Sequence, residues 1–218
     1  MDGVASRLRQ VLEAPLPGLD AQLRLAPSPR RGWDPYDVPE GLRAAAALVL
    51  VYPSQSGILH LPLTVRGGGL RTHTGQVSLP GGAVDPGETV EMAALREAVE
   101  EVGIDQADVE VLGPLTPLHI PVSGFLLHPV VGITPRRPAF RPAEHEVARL
   151  LEVPLSRLAH PATVARETRL LRRGGTPEPV DVPYFDVEGE KVWGATAMIL
   201  AEFLEVARLA GLPRASIW

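Results

Sequence analysis

Three glutamates at helical spacing, Glu97, Glu100 and Glu101, are the residues of this sequence best suited to chemistry. On a helix that turns by about 100° per residue they share one narrow arc. Like charges at such spacings disfavour a helix, by roughly a few tenths of a kcal/mol per pair. A divalent cation would reverse that penalty, and oxygen ligands suit Mg²⁺ or Mn²⁺, which often combine protein carboxylates with substrate phosphates. On its own, the spacing favours the plainer alternative of a solvated acidic face.

The element that positions these carboxylates is a predicted helix over residues 89–102, ended by Gly103. Opposite the glutamates, the helical arithmetic predicts an apolar packing stripe that holds the acidic face outward. The members of this stripe are Met92, Leu95, Ala98, Val99 and Val102. Before the helix, Gly81 and Gly82 allow close approach of the backbone, and residues 85–88 (DPGE) form a rigid turn. We therefore treat loop and helix as one unit.

Composition excludes several classes of protein and site. The 218 residues are 45% apolar and 22% charged, with a net charge of −5 and no cysteine. Disulfides, thiolate metal sites and cysteine nucleophiles are excluded, and without a polybasic run we expect no nucleic-acid binding. The longest aliphatic stretch, residues 44–51, is far short of the roughly 20 residues of a membrane helix. No secretory signal begins the sequence, so we expect a cytoplasmic protein without membrane partners.

Strand and helix patterns alternate along the chain, which favours an α/β fold. An N-terminal helix ending near Leu12 and a proline-rich extended arm make up residues 1–43, and one domain is expected over residues 44–218. Residues 166–171 and 180–187 form either a late hairpin or two separate strands. The other predicted elements are strands at 44–52, 59–65, 109–112 and 126–133, a short helix at 153–158 and a final helix at 196–209.

The loop and helix together resemble a known signature. Gly82, five residues, Glu88, seven residues and then REAVEEVGI (residues 96–104) is similar to the signature of Nudix hydrolases over its full length. The one departure is Ala98, where a larger aliphatic residue is usual. The resemblance implies an α/β/α sandwich with a mixed β-sheet flanked by helices, and metal-dependent hydrolysis of a nucleoside diphosphate linked to another group.

The same resemblance assigns roles to individual residues. Glu97, Glu100 and Glu101 would bind Mg²⁺ or Mn²⁺, with the Gly82 carbonyl as a further ligand. Arg96 and Glu88 would brace the loop and orient Glu97, and Gly103 would be structural. Glu146 aligns with a glutamate that assists catalysis from a loop in some Nudix enzymes. Which residue takes the proton from water is left open among Glu97, Glu100 and Glu146.

A second pattern precedes the signature, in LPLTVRGGGLRTHTGQVSLPGG (residues 61–82). It resembles coenzyme A pyrophosphatases, a Nudix subfamily, although Pro62, Gly67 and Leu79 depart from that subfamily's pattern. Arg66 and Arg71 suit phosphate oxygens, and Gly81 and Gly82 would also contact substrate. The resemblance implies cleavage of coenzyme A to 3′,5′-ADP and 4′-phosphopantetheine. The matching positions are Thr64, Arg66, Arg71, Gly75, Pro80, Gly81 and Gly82.

Other functions remain open at this point. The substrate could be ADP-ribose, a dinucleotide or a nucleoside triphosphate, or the chain could be a module that senses a nucleotide without hydrolysing it. Retention of all the signature carboxylates argues against the second alternative. The six histidines lack zinc-type spacing, and neither a serine-hydrolase elbow nor a Walker lysine is present. Both a monomer and a homodimer are compatible with the sequence.

Overall fold

A mixed β-sheet forms the centre of the protein. The computed structural model describes residues 1–30, 33–67, 76–173 and 176–212. Within these residues, eight strands belong to the central sheet: β1 (Arg43–Pro53), β2 (Leu59–Arg66), β3 (Val77–Ser78), β4 (Gly81–Ala83), β5 (Glu110–Pro114), β6 (Leu118–Ile120), β7 (Phe125–Ile133) and β8 (Val147–Pro154). A second sheet comprises β9 (Val164–Arg173), β10 (Thr176–Val187) and β11 (Glu190–Trp193). The α-helices are α1 (Asp2–Leu12), α2 (Gly18–Gln22), α3 (Val90–Val102), α4 (Leu155–Leu158) and α5 (Ala195–Leu209).

Strand β1 makes the sheet mixed, because it has neighbours of both directions. It runs parallel to β7 from Arg43 to Val51 and antiparallel to β2 and β4. The pairing with β4 sets Ala46 opposite Gly82 and Ala47 opposite Gly81. The glycine loop ahead of α3 is therefore itself a strand of the sheet, which fixes its position relative to the helix.

Alternate residues of β1 face two different layers, as the period of a strand requires. Ala46, Leu48 and Leu50 belong to the apolar cluster beneath α3. Val49 and Val51 face the opposite cluster, which α1, α5 and the second sheet complete. The prediction of a mixed sheet flanked by helices on both faces is confirmed.

The N-terminal segment packs against the second of these faces. Leu8 and Leu12 of α1 are buried there, and α2, which the sequence patterns did not indicate, packs beside α5. A fully buried carboxylate on α5, Glu202, accepts hydrogen bonds from Gln22 Nε2 (2.7 Å) and Thr116 Oγ1 (2.7 Å). Among the described residues of 26–41, regular structure is limited to a bridge between Ser28 and Asp181. The division into an arm and a domain at residue 43 stays a prediction.

The structure tests two sequence predictions for residues 153–187. β9 and β10 pair antiparallel, so the hairpin alternative is confirmed. The helix predicted at 153–158 is wrong at its start, because Val153 is a buried strand residue opposite Leu61 of β2 and α4 begins only at Leu155. Among the described residues, no helix is long and apolar enough to span a membrane.

Candidate active site on the acidic helix

Helix α3 begins and ends where its sequence predicts. The Thr89 hydroxyl accepts a hydrogen bond from Met92 N (3.3 Å), which pairs one of the free N–H groups of the first turn. Gly103 ends the helix in the left-handed conformation, with φ of 67°. A residue other than glycine is strained there, although asparagine is tolerated better than most.

The orientation of α3 differs from the prediction. Met92 and Val99 are exposed (54% and 37%), whereas Glu97 and Glu101 are largely covered. The buried residues are Ala93, Ala94, Ala98 and Val102. Because these are mostly alanines, we attribute the inward rotation of the two glutamates to the close approach of α3 to the sheet. The predicted outward acidic face and the packing role of Met92 and Val99 are wrong; only Glu100 is well exposed, its side chain by 57%.

Gly82 lies directly beneath the Glu97 carboxylate. A Cβ atom added at Gly82 would stand 2.4 Å from Glu97 Oε1 and 2.7 Å from Oε2. Its neighbour Gly81 is as closely packed, since an added Cβ would stand 2.3 Å from the Ala46 carbonyl oxygen. Glycine at these two positions therefore allows the loop backbone to reach the helix on one side and β1 on the other.

The Arg96 guanidinium joins the loop to the acidic residues. Arg96 donates from Nε and Nη2 to the Glu88 carboxylate (2.8 and 3.1 Å) and from Nη2 to the Ala83 carbonyl (3.0 Å). It also donates from Nη1 to Glu97 Oε1 (2.8 Å) and more weakly to Glu100 Oε2 (3.4 Å). These bonds lower the pKa of Glu88 and fix one oxygen of Glu97. The acidic cluster is thus partly neutralised by the chain itself.

Glu101 is the least compensated of the three carboxylates. Burial, followed by the charge of Glu97, raises its pKa to about 7, while Arg66 and a hydrogen bond from the Gly81 backbone act in the opposite direction. Its Oε2 atom is buried and, within the described residues, has no hydrogen-bond partner. Burial also raises the pKa of Glu97, although Arg96 opposes this. An unpaired, buried carboxylate oxygen is costly unless a cation or donor reaches it.

Glu146 approaches the same two carboxylates from the chain between β7 and β8. Its charge raises the pKa of both Glu97 and Glu101. The segment is tied to the end of α3, because Ala143 N donates to the Glu101 carbonyl (2.9 Å). On the other side, Gly67 N donates to the Glu146 carbonyl (2.8 Å). In the sequence, Gly67 stands out only as a departure from the subfamily pattern. No sequence signal indicated its hydrogen bond to the Glu146 carbonyl.

These residues fit a divalent cation, with substrate completing its coordination. Among the described residues, no three acidic or histidine side chains converge closely enough to hold an ion by themselves. Mg²⁺ usually takes only one or two carboxylates and fills its remaining positions with water and phosphate oxygens. Glu101, with its unpaired oxygen, and Glu97, above Gly82, offer such a pair. Glu100 instead lines a pocket of about 690 Å³ together with Val99 and Arg141.

Of the two arginines predicted to contact substrate, the structure describes only Arg66. Arg66, at the end of β2, is close enough to Glu101 for its charge to lower the pKa of that carboxyl. Its buried Nε has no hydrogen-bond partner within the described residues. Arg71 and Gly75 lie outside the residues that the structure describes. The site therefore gathers Arg66, Gly82, Glu97, Glu101 and Glu146, with Glu88 and Arg96 as its support.

Comparisons with known proteins identify the family of the chain. The NUDIX domain family matches residues 42–173. The uncharacterized Nudix hydrolase NudL of Escherichia coli O6:H1 is 42% identical over 162 residues, which are 73% of this chain and 80% of the relative. NudL of Escherichia fergusonii is 41% identical over the same shares. A solved Nudix hydrolase of M. Smegmatis, RenU, is 26% identical over 55% of this chain and 77% of its own, with a TM-score of 0.44, an overlap too partial to bear on function. With this family match, its 42% identical relative and a signature that retains every expected carboxylate, the chain belongs to the Nudix hydrolase family.

Proposed function

We propose that this Nudix hydrolase cleaves the pyrophosphate bond of coenzyme A, giving 3′,5′-ADP and 4′-phosphopantetheine, with Mg²⁺ or Mn²⁺ as cofactor. The observation that carries the choice of substrate is Arg66, whose buried Nε has no hydrogen-bond partner among the described residues and whose charge lowers the pKa of Glu101. Coenzyme A bears a 3′-phosphate besides its pyrophosphate, and a guanidinium suits phosphate oxygens. The spacing of residues 61–82 supports the same substrate.

Glu97 and Glu101 are the proposed ligands, with the Gly82 carbonyl beside them. Bound there, the ion would lower the pKa of a water molecule and neutralise the phosphoryl oxygens. Arg96 holds one oxygen of Glu97 (2.8 Å), which would leave the other oxygen for the ion. The proposed role of Glu100 as a ligand is the weakest of the three, because it is exposed and contacts Arg96.

Glu146 is the proposed proton acceptor. It lies on a different segment from the ligands and is close enough for its charge to raise the pKa of both, so a proton can pass to it while Glu97 and Glu101 hold the ion. The water oxygen forms a bond to one phosphorus of the pyrophosphate and its proton passes to Glu146. The bond from that phosphorus to the bridging oxygen breaks, and the second phosphate leaves with the electron pair.

A substrate panel with Mg²⁺ and with Mn²⁺ tests this proposal. We expect kcat/KM for coenzyme A to exceed that for ADP-ribose and for a dinucleotide by at least about tenfold. Dephospho-coenzyme A, which lacks the 3′-phosphate, should be a poorer substrate, and Arg66→Gln should reduce this difference. Arg149→Gln is the matched control, because Arg149 lies opposite Val65 on β8 and pairs with Glu190.

Two results would contradict the proposal in different ways. Coenzyme A cleaved no faster than ADP-ribose would remove the substrate assignment and leave the hydrolase. Ligand-dependent stabilisation without release of any product, for every compound of the panel, would favour the nucleotide-sensing module.

A further inference from the structure

The segment that carries Glu146 is docked on the C-terminal end of α3. Arg141 N donates to the Val102 carbonyl (2.8 Å) and Ala143 N donates to the Glu101 carbonyl (2.9 Å). Carbonyls in the last turn of a helix have no partner within the helix. The segment therefore supplies donors that the end of α3 lacks. Glu146 N and Val147 N both return to the Ala143 carbonyl (2.9 and 2.8 Å), so the turn that presents Glu146 is built on this docked residue.

The docking requires that residue 103 have no side chain. A Cβ atom at Gly103 would stand 2.7 Å from Arg141 Cβ and 2.7 Å from the Arg141 carbonyl oxygen. Neither atom is the end of a flexible side chain, so the clash can be relieved only by moving the backbone of the segment. The close approach is separate from the left-handed conformation of Gly103, since other left-handed glycines stand in open space.

We infer that Gly103 is a positioning residue for hydrolysis: it leaves room for Arg141, and so holds Glu146 against Glu97 and Glu101. The inference rests on the proposed role of Glu146 and does not depend on coenzyme A being the substrate. Gly67, through its bond to the Glu146 carbonyl, fixes the other side of the same residue. The signature glycine thereby acts on catalysis through a segment about forty residues further along the chain.

The test separates docking from backbone strain with two asparagine variants. Asparagine tolerates the left-handed conformation better than most residues, so Gly103→Asn mainly introduces the clash with Arg141. Gly124→Asn is the matched control, because Gly124 has the same φ of 67° and an added Cβ meets nothing within 4 Å. Arg141→Pro, which deletes the N–H donated to Val102 and leaves Gly103 in place, is a second route to the same undocking.

Two measurements are made on these variants. In steady-state hydrolysis of the best substrate of the panel, Gly103→Asn should lower kcat at least tenfold with KM within twofold, and Gly124→Asn should change neither. Combining Gly103→Asn with Glu146→Gln should be no more than threefold slower than Glu146→Gln alone. In amide hydrogen exchange of the metal-free protein, Arg141 and Ala143 should exchange at least tenfold faster in Gly103→Asn, while Ala98 within α3 should be unchanged.

Other outcomes would overturn the inference. Losses that multiply in the double variant would mean that Gly103 acts independently of Glu146. Unchanged exchange at Arg141 and Ala143 would show that the segment stays docked. A Glu146→Gln enzyme with full activity would remove the residue through which Gly103 is inferred to act. Should Gly103→Asn fail to fold, the same comparisons with Arg141→Pro decide.

Discussion

Replacing Gly82 by alanine places a methyl group where the Glu97 carboxylate lies. The backbone of Gly82 is not in the left-handed region, so alanine introduces no conformational strain there. The new Cβ would stand 2.4 Å from Glu97 Oε1, whereas ordinary contacts begin near 3.4 Å. The carboxylate must therefore retreat by about 1 Å, and a displacement of that size at a reacting centre can cost about 100-fold in rate. We expect Gly82→Ala to lower kcat by about two orders of magnitude.

Stability should change far less than activity in this variant. The atoms in the way belong to the end of a flexible side chain, and the bond that moves with them is the one from Arg96 Nη1. A lost hydrogen bond of this kind costs about 1–2 kcal/mol. Steady-state kinetics and urea unfolding of the same preparations measure both quantities. Gly3→Ala is the control, because its Cβ makes only an ordinary contact of 3.8 Å with Arg7.

An active Gly82→Ala enzyme would refute this reasoning. A kcat within threefold of the wild type, in a protein of unchanged stability, would mean that the position of the Glu97 carboxylate does not limit hydrolysis. A large loss of stability would instead mean that the loop, rather than the side chain of Glu97, has to move.

Three further predictions follow from the same contacts. Gly81→Ala should destabilise the protein by about 1–3 kcal/mol in urea unfolding, because its Cβ would meet the backbone of Ala46 and Ala47. A free energy of unfolding within about 0.5 kcal/mol of the wild type, which is about the error of the method, would contradict the close packing at Gly81. Glu97→Gln and Glu101→Gln should each lower kcat more than about tenfold with the fold retained, and wild-type rates would exclude these carboxylates as metal ligands. In EDTA, the free energy of unfolding should fall by about 3 kcal/mol as the pH rises from about 4.5 to above 7. The reason is that Glu101 has a pKa of about 7 in the folded protein and 4.5 in the unfolded chain, so only the folded protein keeps this proton over that range. Glu101→Gln should flatten that pH dependence, and an equal slope in both proteins would contradict the raised pKa.

The local parts of the site were predictable from the sequence. Thr89 and Gly103 bound α3 because capping and a left-handed end are decided within a few residues. The glycines at 81 and 82 likewise indicated close backbone approach, and both have it. Contacts of this kind depend on residues near each other in the chain, so their spacing carries the information.

The direction in which α3 faces was not predictable from its own periodicity. The helical period predicted that the larger apolar residues Met92 and Val99 pack inward, but both are exposed. The sheet instead receives three alanines and Val102, and Glu101 turns inward with them. This depends on the distance between two layers, which no single segment encodes. The hydrogen bond between Gln22 and Glu202, 180 residues apart, was not predicted either, because it also depends on how separate segments pack.

Mn²⁺ binding is the decisive measurement, because the inward carboxylates Glu97 and Glu101 are proposed to hold the ion that hydrolysis needs. Isothermal titration calorimetry should detect Mn²⁺ binding to the wild-type protein in the presence of a slowly cleaved substrate analogue. The affinity should fall at least tenfold in Glu101→Gln and remain unchanged in Glu91→Gln, a control on the first turn of α3. Equal Mn²⁺ affinity in all three proteins, together with hydrolysis that EDTA does not slow, would show that these carboxylates do not hold a catalytic ion.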